Sequence, residues 1–143
     1  MEPIHSRRHF LGACAAAVAM VLVPIRRLRA MPRPGLLQGP HPTPRPGITA
    51  AKVLTKEQLA GKPKLVPLFD SVREVPEVID GIRCNCGCAQ YEGFYSLLSC
   101  YEGRDAMAKD CVICQGQGRL AVRLHKAGKS LDEIRSAIDA KFG

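Results

Sequence analysis

Cys84-Asn85-Cys86-Gly87-Cys88 sets three thiols at alternate positions, and Cys100, Cys111 and Cys114 follow, so six cysteines fall within 31 residues. Thiols at this density are either ligands for a soft metal or the ends of disulfides, because an exposed thiolate cluster oxidises. That choice constrains the fold. The chain has 143 residues and no Trp, and only about 90 of them remain to form a core once the N-terminal segments are set aside. A domain of that size commonly leans on a metal or on crosslinks.

The N-terminal segments are read from composition. Ser6-Arg7-Arg8-His9-Phe10-Leu11 precedes an Ala-rich apolar run ending near Ile25. This resembles a twin-arginine (Tat) export signal over residues 1–30, with Leu28-Arg29-Ala30 as a weak cleavage site. The run is short for a membrane span, which leaves an uncleaved N-terminal anchor as the alternative. Cys14 precedes the apolar run instead of following it, so Leu11-Gly12-Ala13-Cys14 does not serve as a lipobox. Tat clients fold before export, often around a cofactor. The expected location is periplasmic or cell-surface.

Residues 31–50 read as a Pro-rich linker, with six prolines between Pro32 and Pro46. Such a stretch is expected to be extended, a semi-rigid spacer outside the core, with His41 solvated. The formal charge of +8 is partly the export segment, which holds five Arg and one Glu. The remaining charges are interspersed and aromatics are few, which argues against a nucleic-acid partner.

Residues 51–143 are expected to form a small, mostly α, cysteine-rich domain. Thr55-Lys56-Glu57-Gln58 spells a capping box for a short helix ending at Gly61. Leu65, Val66, Leu68 and Phe69 offer an apolar patch, and Pro76 opens a brief helix stopped by Gly81. Gln90 to Glu102 reads as helix. If wholly helical, that span would hold Cys88 and Cys100 about 18 Å apart, so Cys100 shares a site with Cys88 only if the helix breaks, for instance at Gly93. The last third reads as an αα-hairpin. Its first helix starts near Cys111, with Gln115-Gly116-Gln117-Gly118 as a loosening segment, and stops at Gly128; the second is capped by Ser130-Leu131-Asp132-Glu133 and carries the stripe Leu131, Ile134, Ile138, Phe142. His125 reads as a solvated helix-face side chain.

Three sulfurs at i, i+2 and i+4 suit a curled loop rather than a straight strand, and Gly87 permits the bend. Disulfides among these three would be strained. Cys111 and Cys114 form a C-x2-C pair able to chelate one ion at a helix start, where thiol pKa values fall. The expected metal set is Cys84, Cys86, Cys88, Cys111 and Cys114, with Cys100 as the doubtful sixth. Soft thiolates select Cu(I) or Zn, and the spacing does not separate the two. Buffering or delivery, with a metal-handling protein as a possible partner, fits better than catalysis, since no catalytic set is present as a motif. Structural disulfides in an exported interaction domain and thiol exchange at Cys111/Cys114 remain the alternatives.

Asp80-Gly81-Ile82-Arg83-Cys84-Asn85-Cys86-Gly87-Cys88, with Ser96-Leu97-Leu98-Ser99-Cys100, Cys111-Val112-Ile113-Cys114 and Gly128 to Arg135, resembles the bacterial PCYCGC-motif family of exported proteins and lipoproteins. The likeness covers residues from about 75 to 142. Arg83 stands where the motif has Pro, Asn85 where it has Tyr, and Phe94-Tyr95 where the family carries a His. The resemblance implies export and a cysteine site, with no reaction attached to it.

Overall fold

A computed structural model describes residues 39–87 and 92–143. The stretch expected to be an export signal, the first part of the Pro-rich stretch and Cys88 lie outside the described residues. The domain is helical, with four α-helices and no strands among the described residues: α1 Val66–Arg73, α2 Pro76–Asp80, α3 Val112–Lys126 and α4 Leu131–Phe142. None is long and apolar enough to cross a membrane.

Local signals account for most of these elements. Pro67 sits in the first turn of α1 and Pro76 in that of α2, where a missing N–H costs nothing. The amide of Gly81 closes α2 on Glu77 and Val78. Ser130 and Glu133 form the reciprocal capping box of α4, and Ile134 and Ile138 are fully buried between α4 and the rest of the core. The hairpin expected from the sequence is therefore present. Thr55 and Gln58 exchange the expected capping bonds, at 2.8 and 3.4 Å. What they cap is a run of turns rather than a regular helix.

The apolar patch at 65–69 joins the core as expected and does so largely on a full helix, with Leu68, Phe69 and Val72 buried. Two expectations are corrected. The Gln-Gly-Gln-Gly segment does not loosen α3, which runs unbroken through it. The glycines are there for space: a Cβ on Gly118 would lie 2.1 Å from the Tyr101 hydroxyl, and one on Gly116 would meet the Phe142 ring at 3.0 Å. The expected helix from Gln90 to Glu102 does not continue past Glu92. Gly93 takes φ +65°, a conformation L side chains rarely adopt, and regular structure returns only as a 3-10 turn over Leu98–Tyr101. The Leu97 amide donates to the Ile82 carbonyl at 2.7 Å, tying that turn to the chain just before Cys84.

Residues 39–47 also depart from the spacer expectation, because they lie against the helical domain. Proline removes donors but leaves carbonyls free. Arg135 donates to the Pro42 carbonyl at 2.8 Å, and Tyr95 to that of Thr43 at 2.5 Å. Arg45 forks onto Asp80, whose carboxylate is fully buried, and lies 4.9 Å over the Tyr95 ring. His41 is not solvated: its side chain is 13% exposed, and its ring bridges the Arg83 amide and Asp139, both at 3.0 Å.

Candidate metal centre

Three separate pieces of chain supply the site. The stretch leaving α2 carries Cys84 and Cys86, the 3-10 turn carries Cys100, and the first turn of α3 carries Cys114. One sulfur from each of these four residues lies within 4.8 Å of all the others. Cys84 stands 3.1 Å from Cys86 and 3.5 Å from Cys114, and Cys86 stands 3.5 Å from Cys114. Cys84, Cys100 and Cys114 are buried, and Cys86 is half-buried. No described cysteine is in a disulfide.

The break at Gly93 is what admits Cys100. Cys111, by contrast, sits at the N-cap of α3 and turns its sulfur onto the Cys114 amide at 3.5 Å, outside the four-sulfur group. The C-x2-C pair is thus split between the sulfur cluster and a helix cap. His125 is exposed, as expected of a helix-face side chain.

A set of polar side chains that spacing alone does not mark holds the sulfurs in place. Gln117, fully buried on α3, accepts from the Asn85 amide at 3.2 Å and points its own amide nitrogen at the Cys84 sulfur, 3.8 Å away. Asn85 and Arg83 flank Cys84 and both donate to Asp139 of α4, at 3.3 and 3.1 Å. The Tyr101 hydroxyl donates to the Cys114 carbonyl at 2.7 Å. The paired glycines within α3 were the one sequence signal of this shell, since glycine inside a helix often marks close approach by another group. Every buried side-chain nitrogen or oxygen among the described residues has a partner.

The thiols titrate as a group. Hydrogen bonds from Cys100 and then Cys114 hold Cys84 below its ordinary value. Contact with Cys100, then Cys84 and Cys86, together with burial, pushes Cys114 well up. Cys100 is drawn down by Cys114, but Cys84, Cys86 and burial outweigh that and leave it raised. Cys84 is therefore the first of the group to give up its proton, and like-charge repulsion in a buried space opposes the rest. A cation at the centre would relieve that repulsion and release the remaining protons.

The donor set fits a soft ion. Four sulfurs around a tetrahedral zinc at about 2.3 Å would lie about 3.8 Å apart. The separations among Cys84, Cys86 and Cys114, 3.1 and 3.5 Å, would open slightly to reach that spacing, and Cys100 lies within 4.8 Å of each. A helix start and an amide donor at Cys84 add positive potential where thiolates would gather.

Fold and site together describe a small cysteine-rich helical domain built around a buried sulfur cluster. The chain belongs to the PCYCGC family: the family model, described as a protein of unknown function with PCYCGC motif, matches residues 48–143. No curated protein and no solved structure matches the chain.

Proposed function

We propose that this protein is an exported soft-metal-binding protein that holds Zn or Cu(I) through Cys84, Cys86, Cys100 and Cys114, in metal buffering or delivery rather than catalysis. The observation that carries the reading is the convergence of four sulfurs, from three chain segments, to within 4.8 Å. Four buried thiolates suit tetrahedral zinc, and Cu(I) accepts lower sulfur coordination in the same cluster. Export by the Tat route rests on the twin arginines of residues 1–30 and suits a site loaded in a reducing cytoplasm.

The test is to purify the protein anaerobically from cytoplasm and measure bound metal, free thiols and Co(II) uptake. One equivalent of Zn or Cu(I), with a tetrahedral thiolate spectrum after Co(II) exchange, is the expected result. Full thiol titration with no metal bound, and no uptake by the apo form, would defeat the reading.

A further inference from the structure

The face of the domain made by α1, the turns before it and α3 is corrugated and basic. A hollow of about 450 Å3 between α1 and α3 has Leu68 and Val122, both nearly buried, in its floor, and Lys64, Arg119, Arg123 and Lys126 around it. It shares Lys64 with a second hollow of about 410 Å3, whose lining also includes Lys62 and Lys109. The first shares Pro67, and the second Pro63, with a third hollow of about 500 Å3 lined mostly by apolar atoms. Side by side on these shared residues, the three hollows make up one grooved face. Its second hollow includes Gln115, next in the chain to Cys114, so the groove ends beside the first turn of α3.

Its cations are poorly neutralised. Lys126 pairs with Glu74 and Lys62 with Asp110. Lys64, Arg119 and Arg123 take part in none of the ion pairs among the described residues. Arg119 and Arg123 stand four apart on α3, where like charges repel. Lys126 gains from the helix C-terminus, but Arg119 lies mid-helix and does not.

We infer that this groove is a docking surface for an acidic segment of a partner protein, one that alternates carboxylates with apolar side chains. Charge complementarity selects the acid, and the apolar floor selects the side chains between. The chain's own residues 1–38 cannot supply the complement, because they hold six Arg and a single Glu. Single-stranded nucleic acid binds on stacking aromatics, and no aromatic side chain lines the three hollows. A bilayer is flat where this surface is concave. The large exposed apolar side chains among the described residues, Tyr95, Val112 and Ile113, do not line the groove and so supply no wedge into lipid.

The test uses the full chain and a fluorescein-labelled synthetic peptide of alternating Glu and Leu, read by anisotropy at low and physiological salt. Arg119→Glu/Arg123→Glu should weaken binding about tenfold or more, and a charge-matched Lys52→Glu/Arg104→Glu control on exposed sites elsewhere less than about threefold, because screening spares only contacts at close range. Circular dichroism establishes that both variants fold. No binding by the parent protein, or equal loss in both variants, would overturn the proposal. Preference for phosphatidylglycerol vesicles over the peptide, abolished by the same α3 variant, would overturn it in favour of a membrane surface.

Discussion

Tyr101 and Gly118 are matched across the core: the hydroxyl occupies the space that a Cβ on Gly118 would need, 2.1 Å from where that carbon would sit. From there it donates to the Cys114 carbonyl. The backbone of a cluster cysteine is thereby held by a ring that only a glycine lets in.

Gly118→Ala therefore sets two effects against each other. Helix propensity alone would favour Ala by about 1 kcal/mol, whereas overpacking costs about 1–3 kcal/mol. The expected outcome is a net loss in chemical denaturation, part of which Tyr101→Phe restores in the double variant by removing the hydroxyl. A stabilised Gly118→Ala protein would show that the ring moves aside freely.

Serine substitutions separate ligands from cap. Cys100→Ser is expected to abolish stoichiometric Zn or Cu(I) binding as fully as Cys84→Ser or Cys114→Ser. Cys111→Ser should keep it, since serine is itself a good N-cap and the Cys111 sulfur stands outside the cluster. Anaerobic metal competition reads all four. Loss of binding in Cys111→Ser would make that residue a ligand.

Gln117→Glu keeps an acceptor for the Asn85 amide but replaces the donor at the Cys84 sulfur with negative charge. Metal affinity should fall roughly tenfold or more, on the scale of outer-shell substitutions at metal sites. Gln117→Leu should instead cost stability, because it leaves the buried Asn85 amide without its partner, about 1–3 kcal/mol.

Acid stability follows from Asp80 and Asp139. Burial works against ionising Asp80, but bonds from Arg45 and Ser96 outweigh it and hold its pKa below the usual carboxylate value. Burial likewise opposes Asp139, and His41, Asn85 and Arg83 bring it down. A carboxylate lowered on folding stabilises fully above its unfolded pKa and loses that contribution as pH falls through the folded one. The protein should hold its stability to about pH 5 and lose it below about pH 4. Asp80→Ala should flatten that decline and cost about 2–3 kcal/mol at neutral pH, since Arg45 is 41% exposed and can turn to water. An unchanged acid slope would place the sensitive group elsewhere.

What the sequence shows of this protein divides by range. The capping box at Ser130, the opening Pro76 and the stripe of α4 are local patterns, and each element appears where its pattern lies. The membership of Cys100 is not local. It depends on the loss of helix at Gly93 and on the Leu97 amide bonding the Ile82 carbonyl, fifteen residues back in the chain. His41 is harder still, because its partners Arg83 and Asp139 are remote and prolines surround it. The Cys111-Val112-Ile113-Cys114 spacing points to joint chelation, whereas the helix start sets the Cys111 sulfur at the cap and the Cys114 sulfur in the cluster.

The cluster draws its sulfurs from residues spanning 84 to 114, so an ion bound there would act as a staple across three otherwise separate stretches of chain. A ligand that binds only the folded form stabilises it by mass action, about 2.7 kcal/mol at a hundredfold excess over its dissociation constant. In a domain this short, that is a large share of the stability available. The melting temperature would then track the free-metal level around the protein.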